Sequence, residues 1–403
     1  MEDTKTTCFS VTRLAQVTPI VRGLLAVSTG NDDLPYRNVL LQSLTDPAAM
    51  DFATAPERPG QARPAPLDRI TSPPLALEGA GTYESAAAFR TRAAAQIEAY
   101  VAQHGSKPEA VCLQGLGVLV VREDIPGDPA AADSTRPLYH KVAVVTGSAG
   151  AIGHGLCKAL LEHGAYVAAS DLPGERLDRF VQEFAAVVGE RIASVPIDVT
   201  DRQSIAQGLE QVVQTWGGVD IVIINAGIAL AVGLTEMSLE AFQAVERVNV
   251  EGTLLSLAES GKLMAAQGTG GDIVLISSKN VFAPAPKFGA YSATKAASHQ
   301  LGRIASQELA EFKIRVNMVS PDAIFSDGSY KSGLWATVGP DRMKSRGLDA
   351  AGLEEYYRQR NLLKMRVTAQ HVANAMLFFV THQTPTTGAT IPVDGGLPDS
   401  TPR

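Results

Sequence analysis

The sequence predicts an α/β fold: a doubly wound parallel sheet with helices on both faces, preceded by a smaller N-terminal segment. Three observations carry this. From residue 138 onward, short β-rich runs alternate with longer helical stretches. The short runs are apolar without alternation, as strands covered on both faces are. The first of them, Lys141-Val142-Ala143-Val144-Val145, ends in a glycine-rich turn that opens a helical pattern. A chain of 403 residues is also too long for one typical domain.

Residues 1–137 have a different texture. Prolines crowd 56–74, which reads as irregular surface chain. An Ala-rich helix is expected from Glu84 to His104, stopped by Gly105. One buried strand is expected from Val111 to Val121, interrupted by Gly115 and Gly117. Residues 122–137 are polar with three prolines and read as an inter-domain linker. In 138–403 the expected strands are 141–146, 165–170, 192–197, 219–225, 272–277, 314–319 and 389–393. The expected helices are 151–163, 175–188, 201–215, a long region 239–267, 289–311, and helices near 350–381.

Composition narrows the function classes. Charged residues make up 19% and hydrophobic ones 45%, a balance that buries a real core. The net charge is −7 with no dense Lys/Arg block, which argues against nucleic acid or an anionic membrane as main partner. Cys8, Cys112 and Cys157 form no CxxC pair, so a reducing cytoplasm without disulfides is expected. The N-terminus shows no apolar signal core, and no apolar run approaches the ~18 residues of a membrane span.

The turn Thr146-Gly147-Ser148-Ala149-Gly150-Ala151-Ile152-Gly153 suits a pyrophosphate. Gly147 permits the sharp turn. Small residues at 148–151 let backbone N–H groups approach the anion, and Gly153 allows close helix–strand packing. An acid, Asp171, ends the next strand. Its carboxylate suits ribose hydroxyls and would repel a 2′-phosphate. No Arg or Lys occupies 146–157 or 172–175, so NAD is expected over NADP. A plain turn or helix N-cap role for Asp171 stays open.

The second constellation is Ser278, thirteen residues before Tyr291, with Lys295 four residues after it. On a helix, Tyr291 and Lys295 share a face. A phenol titrates near 10, too high for a base at neutral pH. A neighbouring ammonium favours phenolate, so Tyr291 is the expected general acid/base and Lys295 the group that lowers its pKa. Ser278 is placed to hydrogen-bond the reacting oxygen. An exposed Tyr/Lys helical pair is the bland alternative.

Across 138–396 the chain resembles the short-chain dehydrogenase/reductase family, whose sheet is of the Rossmann type. The matching residues are Thr146-Gly147…Gly153, Asp198-Val199, Asn225-Ala226-Gly227, Asn249…Gly252, Ser277-Ser278, Tyr291…Lys295, Arg315-Val316-Asn317, Pro321, and Thr387-Gly388…Asp394-Gly395-Gly396. The resemblance implies that Asp198 and Val199 contact the adenine end and that Asn225, Ala226 and Gly227 support the cofactor. It implies that Pro321 and Ala323 flank the nicotinamide. It also implies that Lys295 holds the nicotinamide ribose and that Asn249 holds a water in a proton relay. Ala151 departs from the family's middle glycine.

Ser278-Lys279-Asn280, Pro321-Asp322-Ala323 and Leu353…Lys364 look like the dehydrogenase half of bifunctional class II aldolase/short-chain dehydrogenases, and like sugar-alcohol-phosphate dehydrogenases. That implies a secondary alcohol of a sugar, polyol or their phosphates as the small hydroxylated substrate. The stretch 321–366 is polar and aromatic, as a lid over such a substrate would be. Lys279, Lys287, Lys331, Arg342, Lys344 and Arg346 are candidates to meet a phosphate, or simply a solvated face. The N-terminal segment resembles a cut-down aldolase tail. With His104 in that segment, His140 just after it and no His-x-His, no metal site is expected. The family further implies a homo-dimer or homo-tetramer packed through 239–267 and 289–311. Alternatives from other classes are a non-catalytic NAD-binding regulator and a scaffold built on 1–137.

Overall fold

The structure, a computed structural model, describes residues 12–56, 58, 61–81, 84–122 and 136–397. Most of the expected linker, 123–135, lies outside the described residues, as does Cys8.

The N-terminal part is a folded layer, not loose chain. Helix α1 (Arg13–Leu25) is followed by strand β1 (Leu40–Leu44), helix α2 (Pro47–Thr54) and strand β2 (Leu75–Leu77). Helix α3 (Ala86–His104) and strands β3 (Ala110–Leu113) and β4 (Gly117–Arg122) complete it. The sheet order is β1-β4-β3-β2. The expected single strand 111–121 is therefore a hairpin. Gly117 sits at φ +122°, and a Cβ there would stand 2.3 Å from the Leu44 carbonyl oxygen, so the chain turns back where only glycine fits.

The second part begins with β5 (Val142–Thr146), α4 (Ala151–Glu162), β6 (Tyr166–Ser170), α5 (Glu175–Val188) and β7 (Ile192–Ser194). It continues through α6 (Arg202–Trp216), β8 (Ile221–Ile224), α7 (Leu239–Glu246), α8 (Gly252–Gln267) and β9 (Gly271–Ile276). It closes with α9 (Gly289–Glu308), β10 (Ile314–Pro321), α10 (Gly333–Arg346), α11 (Ala350–Arg360), α12 (Ala369–Val380) and β11 (Thr390–Val393). The seven strands pair in parallel in the order β11-β10-β9-β8-β5-β6-β7. All five residues of β5 and of β6 are buried, which is why these runs carry no polar alternation.

Separate apolar clusters fill the two sheet faces, one with α4, α5 and α12, the other with α6, α8 and α9. The second cluster also contains Leu40 of β1, and Trp216 of α6 meets Tyr166 edge-on at 5.9 Å. The N-terminal layer and the large sheet thus share a core. Inside that seam Arg22 of α1 is fully buried and pairs with Asp220, Nη2 to Oδ2 at 2.7 Å. Arg22 Nη1 also donates to Gln267 Oε1 at 3.0 Å, and Nε to the Val39 carbonyl at 2.7 Å.

One further expectation is corrected, one is met, and one helix was not expected. The long helix 239–267 is interrupted by a π-turn, Arg247–Glu251. The helices expected near 350–381 are two, α11 ending at Arg360 and α12 starting at Ala369, where Thr368 and His371 form a capping box. Helix α10 was hidden by its polar composition and by Pro340 inside it.

Candidate active site

The carboxyl ends of β5, β8 and β9 open into one cleft of about 740 Å³. This is the topological switch point, where the strand order reverses around β5 and β8. Gly147 adopts φ +65°, and a Cβ on it would stand 3.0 Å from Ala226 Cα. A Cβ on Gly153 would stand 2.3 Å from the Gly147 carbonyl oxygen. Both glycines are therefore required for the loop to lie flat on the strand end. No side chain caps the first N–H groups of α4, which begins at Ala151 in the cleft wall. Bare backbone N–H groups at a helix N-terminus form a cradle that fits a pyrophosphate. Ala151 is 2% exposed, so its methyl is accommodated.

Of the loop residues, Gly147, Gly150, Ala151, Ile152 and Gly153 line the cleft. Ser148 does not. It is fully buried, and its Oγ donates to the Ser170 carbonyl at 3.1 Å, tying the turn to β6. Ala149 braces the turn too, its N–H donating to Asp171 Oδ2 at 3.2 Å. Asp171, Asp198, Val199, Asn225, Ala226, Gly227, Pro321 and Ala323 all line the cleft. Asn225 Nδ2 donates to the Thr146 and Gly147 carbonyls, each at 3.0 Å, so it holds the turn from the neighbouring strand. Arg176 is a cleft residue that the sequence reading missed. Its guanidinium donates to the Ala149 carbonyl at 2.8 and 3.2 Å, beside Asp171. Arg176 lies one position beyond the cation-free stretch 172–175.

Ser278, Tyr291 and Lys295 meet on the opposite wall, all buried. Ser278 hydrogen-bonds the Tyr291 phenol. Lys295 Nζ donates to the Ile276 carbonyl at 2.9 Å and lies 6.0 Å from the Tyr291 ring centroid. The expectation that Lys295 pulls the phenol below its ordinary pKa is not met in this arrangement. Burial pushes the phenol up, against the pull of the Ser278 hydrogen bond. Burial also pulls the Lys295 ammonium down to about 8. Both groups are thus biased towards their neutral forms.

Asn249 sits in the π-turn, 1% exposed. Its Nδ2 donates to the Ile228 carbonyl at 2.9 Å and to Thr294 Oγ1 at 3.0 Å, and its Oδ1 accepts from Ile228 N at 2.9 Å. Its own carbonyl accepts from the hydroxyls of Thr253 and Ser298, each at 2.6 Å. A Cβ on Gly227 would stand 3.2 Å from Asn249 Oδ1 and 3.4 Å from Lys295 Nζ, so this glycine keeps the space between them open.

The stretch after Pro321 covers the cleft, with Trp335, Arg342, Arg346, Tyr357 and Arg360 in its wall. Phe325, Trp335 and Tyr357 pack as a triangle of rings 4.5, 4.9 and 5.6 Å apart. A small hairpin, Ser326–Asp327 with Tyr330–Lys331, clasps the cofactor helix: His154 Nδ1 lies 2.7 Å from Asp327 Oδ2. Of the candidate cations, Lys279, Arg342 and Arg346 line the cleft. Lys287 instead pairs with Asp341 at 3.4 Å, and Lys331 and Lys344 are exposed away from it. A second cavity, about 790 Å³ on the outer side of α9, is lined by none of the expected site residues.

Residues 141–335 match the family model for short chain dehydrogenase. The (-)-isopiperitenol/(-)-carveol dehydrogenase of Mentha piperita is 34% identical over 66% of this chain and 96% of its own length. The chain belongs to the short-chain dehydrogenase/reductase family. An uncharacterized oxidoreductase of Bacillus subtilis, YuxG, is 34% identical over 64% of this short-chain dehydrogenase/reductase, a match that spans 37% of YuxG. Among solved structures, sorbitol-6-phosphate 2-dehydrogenase of Erwinia amylovora aligns with a TM-score of 0.59 at 29% identity, covering 63% of this chain and 98% of that one. All three similarities leave about a third of this chain unmatched. The protein is an oxidoreductase of the NAD(P)-dependent type acting on CH–OH groups. Among the described residues no helix is long and apolar enough to cross a membrane.

Proposed function

We propose that this enzyme interconverts a secondary alcohol and its ketone on a sugar, polyol or sugar-alcohol phosphate, with NAD as hydride carrier. The observation that carries the proposal is the convergence, in one cleft, of the glycine cradle with buried Ser278, Tyr291 and Lys295. A non-catalytic NAD sensor has no use for that acid/base set. When bound, the nicotinamide supplies or accepts the hydride. Tyr291 Oη gives the proton to the carbonyl oxygen in reduction and takes it from the hydroxyl in oxidation. Ser278 Oγ steadies the charge that develops on that oxygen. Lys295 answers the phenolate through the site's low dielectric and, by family resemblance, would hold the nicotinamide ribose hydroxyls. Asn249 fixes the wall behind Lys295 and is proposed to position the water of the relay.

Preference for NAD over NADP rests on Asp171 in the cleft wall. Arg176 stands next to it but is occupied with the Ala149 carbonyl. The polyol class rests on the polar lid and on the likeness to a sorbitol-6-phosphate dehydrogenase. Exposed Leu254 on α8 and Ile304 on α9 support assembly of copies through those helices, as a dimer or tetramer. The N-terminal layer is proposed to be an integral brace of the large sheet, descended from an aldolase-like segment without its metal site. The test is a panel of polyols and polyol phosphates with NAD, followed by absorbance of the reduced nicotinamide. Absence of turnover with every secondary alcohol, in either direction, refutes the reading.

A further inference from the structure

Besides Lys295 the cleft is lined by six cations: Arg176 and Arg247, and a group of four made of Lys279, Arg342, Arg346 and Arg360. We infer that Lys279, Arg342, Arg346 and Arg360 form a subsite for a phosphate monoester carried by the substrate, next to Tyr291 and Ser278. This rests on the oxidoreductase reading above and narrows its substrate class.

The four line the same wall as the acid/base pair. Lys279 follows Ser278 directly, and its Nζ donates only to the Ala283 carbonyl, at 3.0 Å, among the described residues. Arg342 is 6% exposed and lies over Phe288, with its guanidinium carbon 4.2 Å from the ring centroid. The Phe288 ring is 6.0 Å from that of Tyr291. Arg342 therefore stands one aromatic ring away from the reacting centre, a separation that a short polyol spans. Its Nη2 donates to the Pro286 carbonyl at 2.9 Å, while its Nε is buried without a partner among the described residues. An orphaned guanidinium N–H in a cleft wall is costly unless a ligand accepts from it. Asn280, the next residue and also in the cleft lining, has its Oδ1 buried and without a partner among the described residues as well. It would accept from a substrate hydroxyl lying between the reacting carbon and the anion.

Electrostatics point the same way. The cations crowd each other: Arg360 and Arg342 both act against the Lys279 charge, and Arg346 acts against that of Arg342. Three carboxylates offset these four and Lys287: Asp322, which pairs with Arg360, Asp394, which acts on Lys279, and Asp341, which acts on Arg342 and pairs with Lys287. Two positive charges are left over. A phosphate monoester carries about −1.5 to −2 at neutral pH and three acceptor oxygens, which fits that surplus. A carboxylate carries one charge and a neutral alcohol none.

The full-length protein with NAD is tested on phosphate esters of four- to six-carbon polyols, the free polyols and the matching aldonates. Phosphate esters should exceed the free polyols in kcat/KM by at least about 100-fold. Lys279→Met and Arg342→Met should each cut that ratio about 10- to 100-fold, the range expected for one charge-assisted hydrogen bond. As a readout independent of turnover, inorganic phosphate should raise Tm of the NAD-loaded wild type and not of Lys279→Met. Equal use of esters and free polyols, preference for the aldonates, or a phosphate shift that survives in Lys279→Met overturns the subsite. If Arg342→Met does not fold, the wild-type ratio and Lys279→Met decide. If no alcohol turns over but the phosphate shift needs Lys279, the subsite stands and the oxidoreductase reading falls.

Discussion

Replacing Arg22 with Met tests whether the N-terminal layer is part of the enzyme's core. Arg22 and Asp220 are 0% and 2% exposed and meet in a two-pronged contact of 2.7 and 3.0 Å. Asp220 also accepts from Val142 N at 2.8 Å, at the start of β5, and from Asn38 and Gln267. Met fills similar space but leaves the Asp220 charge buried with amide partners alone. Breaking a buried pair from one side costs about 3–5 kcal/mol, roughly a 150- to 5,000-fold loss in the folded-to-unfolded ratio. Equilibrium urea unfolding at pH 7 measures it. The pH dependence gives a second check. Burial alone would raise the Asp220 carboxyl, but the charges of Arg22 and Lys141 and hydrogen bonds from Arg22 and Val142 outweigh it and hold the group low. In the wild type this stabilisation is present above the ordinary aspartate value of about 3.9 and is lost as pH falls below it. In Arg22→Met the shift reverses, so the deficit should shrink as pH drops towards 4. The double variant Arg22→Met/Asp220→Leu should recover part of the loss. A loss under about 1 kcal/mol, with the N-terminal layer unfolding in a separate transition, would refute the shared-core argument.

Four more outcomes are expected. Tyr291→Phe should lose at least about 100-fold in kcat, the contribution of a positioned acid/base, while NAD binding by calorimetry is retained; near-normal turnover sinks the mechanism. Because burial holds the phenol high, alcohol oxidation should speed up with pH between roughly 7 and 10 while ketone reduction does not, and parallel profiles for both directions would count against Tyr291. Lys295 is held down to about 8, so its burial penalty is fully present below that value and fades as pH rises towards the ordinary lysine value of about 10.4; Lys295→Met should therefore be more thermostable than wild type at pH 7, a gain that vanishes near pH 10, and less active at both. Asp171→Ser should raise the NADP-to-NAD ratio of kcat/KM by about tenfold or more, the effect of removing one repulsive charge pair, and Arg176→Ala in that background should reverse it; a wild type that favours NADP contradicts the role given to Asp171.

The large sheet was legible because its signals are local. The β5 run, its glycine turn and the opening of α4 lie within about twenty consecutive residues, and Tyr291 and Lys295 share one helix face. The glycine turn 147–153, Asp171, Ser278, Tyr291 and Lys295 followed from local pattern and spacing, whereas Asp198, Val199, Asn225, Ala226, Gly227, Pro321 and Ala323 came from the family resemblance; all of these but Ser148 and Ala149 of the turn line the cleft. The N-terminal layer was illegible for the opposite reason. Helix α1 carries Thr18, Pro19 and Gly23, which weaken its helical pattern, and its decisive contact joins residues 198 apart. Nothing in the local sequence marks Arg22 as a core residue. In the lid α11 falls within the helices expected near 350–381, but α10 was read only as polar cover, since it buries few residues and shows little periodicity. The pKa of Tyr291 went the other way from the sequence argument because spacing gives proximity and not burial.

The π-turn at Arg247–Glu251 can be considered as a matter of chain editing. A π-turn amounts to one residue too many in an otherwise regular helix. Deleting a single residue there would give the continuous rod over 239–267 that the composition suggests. Each residue on one side would then rotate by about 100° relative to the other. Asn249 would leave Ile228 and Thr294, and its carbonyl would leave Ser298. The regular helix and the working site are thus neighbouring solutions separated by one codon, and a change of length in this segment would move Asn249 off its partners.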